Sequence, residues 1–254
     1  MRALRWGLVC LGALLLAPAA GAVQIEVHPS GASVPENLLR IELRFAAPQR
    51  MPFDTTRVRL IDANGATIPE ALLDLALPNA DGRRVTLLMD PGRVKTGVGP
   101  NVMAGRALHA GTVVRLVVDD AQTGAPDVVK AWTVTAADDR LPQPGAWQLT
   151  LPRPHTRDAL IVDLREPISA SAEGLIVVSD ASGRRVEGRT ALSNGDTVWR
   201  FTPTQPWRHR AYAVVAHPDL EDPAGNRRCA AFEQLRASEL RCEAGATIAF
   251  EPRR

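Results

Sequence analysis

The sequence predicts an all-β chain, two tandem β-sandwich domains that follow a cleaved signal peptide. Three observations predict it. Leu39, Ile41, Leu43 and Phe45 alternate with Arg40, Glu42 and Arg44, and a period of two sends one set to a core and the other to water. The same pattern returns later as Leu160, Val162 and Leu164. The two copies keep step: Ile41 stands seven residues before Pro48 and Leu160 seven before Pro167, while Gly65 follows Pro48 by 17 and Gly183 follows Pro167 by 16. Finally, short apolar runs are separated by Asn-Gly, Asp-Gly and Pro-rich turns, with no helical periodicity of useful length.

In chain order, Val23 to Val27 reads as a short strand, and His28-Pro-Ser-Gly-Ala-Ser-Val-Pro35 as an exposed turn. The Leu39 strand follows, then Arg57 to Ile61, closed by Asp62-Ala-Asn-Gly65. Leu72 to Leu77 has room for a helical turn; Arg84 to Met89, Gly111 to Asp119 and Val128 to Thr135 read as strands, with Trp132 facing in. Asp138 to Pro144 has linker composition. The second copy opens at Trp147 to Leu151 and continues through Leu160 to Leu164, Leu175 to Val178, Thr197 to Thr202 and Ala211 to Ala216. Cys229 to Leu235 reads as a strand and Glu239 to Glu251 as a terminal hairpin through Gly245, while Ala230 to Leu240 has room for a helical turn. The boundaries expected are a signal at 1–22, domains at 23–138 and 147–254, and a linker at 139–146. One difference separates the copies: Gly92 to His109 is a long Gly-rich insertion, read as a crossover at the sandwich edge or as a binding loop.

The first 22 residues carry Arg2 and Arg5, an apolar run Gly7 to Leu16, and Ala20-Gly-Ala22 at a cleavage point, the arrangement of an export signal. Cys10 lies inside the apolar run, not after it, which argues against a lipid anchor. Cleavage after Ala22 implies a periplasmic or extracellular protein. The whole chain has 30 Lys+Arg against 28 Asp+Glu; without Arg2 and Arg5 the balance is 28 against 28. Such neutrality argues against a nucleic-acid partner, and no later segment is long and apolar enough to span a bilayer. Cys229 and Cys242 are the remaining cysteines, and in an oxidising compartment they are expected to form a disulfide. On the chain-entropy model, closing that loop contributes roughly 3 kcal/mol.

No catalytic grouping is present. Gly92 to Gly97 has phosphate-loop spacing but lacks Gly-Lys-Ser/Thr, and there is no G-x-S-x-G, H-E-x-x-H or C-x-x-C. The five histidines, His28, His109, His155, His209 and His217, form no close pair with metal-ligand spacing. His28 is read as solvated, with a cation ligand as its sharper alternative. Asp219, Glu221, Asp222 and Asn226 bring oxygen ligands together without the order of a calcium loop, so a solvated turn with positive φ at Gly225-Asn226 is expected. Trp132 and Trp199 lie in strands and fill cores, whereas Trp147 and Trp207 sit at domain edges, where core or interdomain packing is expected and a sugar platform is the alternative. No cofactor, no metal site and no catalytic residue is expected.

Pro29-Ser-Gly-Ala-Ser-Val-Pro35, Leu43-Arg-Phe-Ala-Ala-Pro48 and the closing Leu220-Glu-Asp-Pro-Ala-Gly-Asn226 resemble bacterial Ig-like domains of the S-layer SbsA type. In domain one the looser counterpart of that closing turn is Asp119-Asp120-Ala-Gln-Thr-Gly124. The resemblance implies an exported Ig-like sandwich used for scaffolding or adhesion. The opening is also similar to the copper-resistance CopC family, which implies copper held by an N-terminal histidine. Here Val23 to Val27 precede His28, and no Asp-x-His motif is present. The function expected is therefore a non-catalytic structural or interaction module at the cell envelope, its partner another envelope protein or polymer. A periplasmic metal-binding protein and a carbohydrate-binding accessory protein are the alternatives.

Overall fold

The computed structural model describes residues 25–95, 99–119, 126–228 and 245–253. The expected signal segment and both Cys229 and Cys242 lie outside the described residues, as do the expected strand from Cys229 to Leu235 and the helical turn at Ala230 to Leu240. Strand is the predominant regular structure of the described residues, arranged in four sheets, an all-β Ig-like sandwich architecture.

In the N-terminal half, β1 (Ile25–His28), β3 (Arg40–Phe45), β6 (Arg84–Met89) and β5 (Leu72–Pro78) form one sheet in that order. The facing sheet runs β2 (Ser33–Pro35), β8 (Pro126–Thr135), β7 (Val113–Asp119) and β4 (Val58–Ile61). Alternation explains why they face each other. Ile41, Leu43, Val85 and Leu87 from the first sheet join Leu60, Val114, Leu116 and Trp132 from the second in one buried cluster. Each such side chain contributes roughly 1.5–3 kcal/mol by leaving water.

The C-terminal half repeats that order. β9 (Gln148–Thr150), β10 (Leu160–Asp163), β13 (Val198–Pro203) and β12 (Gly188–Ser193) make one sheet; β11 (Ile176–Asp180), β14 (Tyr212–Ala216) and β15 (Ala246–Phe250) make the other. A second cluster, from Trp147 to Phe250, lies between them and shares no residue with the first. Its centre is aromatic: Trp207 stands edge-on to Tyr212 at 5.1 Å and to Phe250 at 5.8 Å.

One turn occurs three times. In Asp62-Ala-Asn-Gly65, Asp180-Ala-Ser-Gly183 and Asp222-Pro-Ala-Gly225 the glycine N–H donates to the aspartate carbonyl. The aspartate carboxylate also accepts the backbone N–H four residues on, at Ala66, Arg184 and Asn226. The glycines have φ of +87°, +79° and +82°. Of Gly225-Asn226, Gly225 has the positive φ expected and Asn226 does not.

Several sequence expectations change. Leu72 to Leu77 is edge strand β5, bulged between Leu72 and Ala76, not a helical turn. Within Pro29 to Pro35, read as an exposed turn, β2 pairs in parallel with β8 and Val34 is buried. The insertion from Gly92 to His109 contains two short helices, Pro91–Val94 and Gly99–Ala104, with residues 96–98 outside the described set. The described strand of the expected terminal hairpin, β15, pairs with β14. Strand β12 went unread because Gly188-Arg-Thr-Ala-Leu-Ser193 is mostly exposed and has weak alternation.

Gly188 shows why that weak strand needs its glycine. A Cβ there would lie 2.4 Å from Phe201 Cζ and 2.6 Å from the Thr202 carbonyl oxygen. Phe201 is in the core and the carbonyl belongs to the paired strand, so neither yields freely. Gly188→Ala should therefore cost roughly 1–3 kcal/mol, read as a lower denaturant midpoint with unchanged slope; an unaltered midpoint would contradict this packing.

Candidate functional site

The outward set of β3 does not face water. Glu42 is 5% exposed, and Arg40 and Arg44 are half-buried, because the C-terminal half lies over them. Arg44 donates from Nε to Glu42 Oε1 at 2.7 Å and from Nη2 to Glu173 Oε2 at 3.0 Å. Arg40 pairs with Glu221. The Leu39 N–H donates to the Pro223 carbonyl at 2.9 Å. Burial, and then nearby Arg227, draw the Arg40 pKa down. For Arg44 burial acts in the same sense but is outweighed by the hydrogen bonds and charges of Glu42 and Glu173, so its pKa rises.

His28 lies beside Glu42 across the β1–β3 ladder and is 2% exposed, not solvated as expected. Its Nδ1 is 2.8 Å from Asp196 Oδ1 and its Nε2 is 3.1 Å from Glu26 Oε1. The two carboxylates thus flank the ring, one at each nitrogen. Asp196 also accepts from Ser30, N–H to Oδ2 at 2.8 Å and Oγ to Oδ1 at 2.7 Å. Burial alone would raise the Asp196 pKa; the bond and charge of His28, joined by the Ser30 bonds, hold it below the usual value.

Asp196 reaches this position through an unusual backbone. Asn194, Gly195 and Asp196 have φ of 53°, 66° and 67°, three consecutive left-handed residues. The turn also approaches the other half closely: a Cβ on Gly195 would stand 3.1 Å from the Gly31 Cα. Two glycines thus meet where His28 and Asp196 join.

The linker closes the seam. The Asp138 carbonyl accepts from Asn37 Nδ2 and Asn226 Nδ2, each at 2.8 Å, and the Asp138 N–H donates to Asn37 Oδ1 at 2.9 Å. Residues 220–226, expected as a solvated turn, are all buried here. Asp222 accepts from the Asn226 N–H at 2.9 Å and from its Nδ2 at 2.8 Å. Burial, with help from Asp138, pushes the Asp222 pKa up to about 7 against the pull of those bonds.

The structure does not bring the remaining candidates together. His109 is exposed and lines a separate groove with Arg93 and Leu108. His209 pairs with Glu251, while His217 accepts from the Asp219 N–H. Asp219, Glu221 and Asp222 turn to Arg227, Arg40 and Asn226 respectively, not to one centre. Among the described residues no group of three or more His, Cys, Asp or Glu side chains is arranged to hold a metal ion. Trp132, Trp147, Trp199 and Trp207 are all buried, so none offers the exposed ring a sugar platform needs. Sequence reasoning missed Asn37, Glu173 and Asp196 altogether. The one signal for Asp196 was Asn194-Gly195 before it, a dipeptide suited to positive φ.

No family model and no curated protein matches the chain. Among solved structures, CopC from Methylosinus trichosporium OB3b is 16% identical, with 47% of this chain and 99% of that one covered at a TM-score of 0.27. A structure described as Rst D1-D2 is 7% identical over 84% and 90%, at 0.23. A marsupial T cell receptor is 8% identical over 91% and 95%, at 0.26. These scores carry no argument about function.

Two outcomes follow from the seam. Asp196→Ala leaves the buried His28 without its Nδ1 partner and the half-buried Ser30 without its acceptor, and should cost roughly 3–5 kcal/mol, measured by equilibrium unfolding; a loss under about 1 kcal/mol would show the pair is not held as described. Asp222 adds a pH slope. Unfolded, its carboxyl ionises near the ordinary aspartate value, while folded it keeps its proton to about 7. Between those values the folded state binds more protons, so this group's contribution to stability is complete below about pH 4 and is lost as pH rises to about 7. The stability of the wild type relative to Asp222→Asn should fall by a few kcal/mol between pH 4 and pH 8; a pH-independent difference would contradict the burial.

Proposed function

We propose that the chain is an exported, non-catalytic protein of two Ig-like domains, 23–138 and 147–254 with a linker at 139–146, that serves as a structural or interaction module at the bacterial cell envelope. The observation that carries this reading is the seam itself. The most concentrated set of buried ionisable groups among the described residues joins one half to the other. Each group is paired within the protein, and a charge already neutralised by a neighbour is poorly placed to attack, protonate or ligate a substrate. Paired groups of this kind support a fixed arrangement of two sandwiches.

The metal-binding alternative is weakened on the same ground. A cation taking His28 Nδ1 would have to displace Asp196, and one taking Nε2 would have to reach a ring that is 2% exposed. Export is supported by the sequence of the first 22 residues, and a disulfide between Cys229 and Cys242 is proposed with it. None of the described helices is long and apolar enough to cross a membrane.

A tagged full-length chain, expressed in a Gram-negative host, tests the reading in one preparation. Osmotic shock should release a form shortened at Ala22 with no free thiol, and equilibrium dialysis of that form should retain no copper, zinc or calcium equivalent. Cytosolic retention of the unshortened chain would overturn export. One tight metal equivalent that disappears in His28→Ala would favour the metal-binding alternative.

A further inference from the structure

We infer that a groove at the end of the C-terminal half, remote from the seam, binds a linear polymer with a carboxylate or phosphate on each repeat, through arginine side chains. Strand direction puts it there. Strand β14 runs from Tyr212 to Ala216, and its Ala216 end leads into the buried turn of the seam; its Tyr212 end lies at the opposite edge of the sheet. Around Tyr212 the hairpin after β11 and the loop before β14 enclose a groove of about 440 Å³. Arg184 and Arg185 line one side, and Arg208 and Arg210 line the other.

Charge is concentrated here. The groove lining holds four arginines and one acid, Asp180. The acid within the groove, Asp180, is already engaged by the Ser182 and Arg184 N–H groups and by Arg210. Arg210 also lies over the Tyr212 ring, 5.3 Å from its centre. All four groove arginines are exposed, and the side chains of Arg185 and Arg208 make no ion pair or hydrogen bond among the described residues. Guanidinium forks match two-oxygen anions such as carboxylate and phosphate.

Three features select the ligand. Every exposed large apolar side chain among the described residues lies in the N-terminal half, and the groove's own apolar residues, Val186 and Pro206, are small, so this end offers no large apolar anchor for a membrane or a protein interface. Trp207 and Tyr212 beneath the groove are buried, so no ring is free to stack on the bases of a single nucleic-acid strand. A concave channel with guanidinium groups on both walls suits a narrow chain carrying repeated carboxylates or phosphates. The inference rests on the interaction-module reading and gives that module a ligand class.

Binding of polygalacturonate and of poly(glycerol phosphate) to the full chain, at about 50 mM salt, tests it, since ionic contacts of this kind weaken steeply with salt. Saturable binding to either polymer is expected. It should be weakened roughly tenfold or more in Arg185→Gln/Arg208→Gln, unchanged in the control Arg50→Gln, and lost at about 500 mM salt. Thermal unfolding of the double variant should match the wild type, since both side chains are exposed. The inference is overturned by absence of saturable binding to both polymers, by binding retained within about twofold in the double variant, or by phosphatidylglycerol vesicles or duplex DNA binding as tightly as the polymers. Failure here with a chain that is exported removes only the ligand, whereas cytosolic retention of a chain that still binds removes the envelope reading.

Discussion

A buried glutamate on the wrong face of a strand governs this structure. Glu42 belongs to the set of β3 that points away from the N-terminal core, yet it is 5% exposed because a second body covers it. Burying a charge costs several kcal/mol unless geometry and hydrogen bonds compensate. Once Arg40, Glu42 and Arg44 are covered, the covering surface must supply carboxylates at matching places, and Glu173 and Glu221 do so. The same demand accounts for the three left-handed residues at 194–196 and for Gly31 facing Gly195. Asp196 reaches His28 only where two backbones come almost into contact.

The triple Asp-x-x-Gly turn shows how one local device takes different roles with context. The turns at Asp62 and Asp180 end strands at exposed hairpins, and the Asp180 carboxylate also accepts from Ser182 Oγ and Arg210 Nη2. The turn at Asp222 has the same glycine conformation and the same carboxylate-to-N–H bond, but it is buried against the linker. Burial raises the Asp222 pKa, and the side chain of Asn226 reaches the Asp138 carbonyl. Proline at position 223 removes an N–H from the turn, and the carbonyl of that residue receives the Leu39 N–H from the other half.

The fold class was legible because alternation and turn chemistry are local. Ile41, Leu43 and Trp132 point inward as a period of two requires, and Gly65 and Gly183 take the positive φ that their turns need. What covers the outward face was not legible. His28 and Asp196 are 168 residues apart, and Arg44 and Glu173 are 129 apart, with nothing in either neighbourhood naming the other. An arginine, a glutamate and an arginine on alternate positions look the same whether they meet water or a second body. The solvated readings of His28 and of the turn at Glu221, Asp222 and Asn226 failed for this reason, while Asp219 is exposed as expected. Of the residues the metal readings drew on, His28 meets Asp196, Asp219 meets Arg227, Glu221 meets Arg40, and Asp222 meets Asn226.

Buried ion pairs of this kind contribute more to choosing an arrangement than to holding it. Replacing a buried pair by apolar groups is often neutral or stabilising, while removing one member is costly. A seam in which His28, Arg40 and Arg44 on one side meet Asp196, Glu221 and Glu173 on the other therefore disfavours alternative dockings, each of which would leave charges buried and unmatched. Fixing that docking also fixes which end of the C-terminal half points away. The five residues of β14, spanning roughly 17 Å at strand rise, separate the seam from the groove lined by Arg184, Arg185, Arg208 and Arg210. Positive charge in the seam is neutralised internally, whereas the guanidinium groups of Arg185 and Arg208 remain turned to solvent. Arginines of one chain are thereby divided between joining its halves and facing outward, by position along the strands and not by residue type.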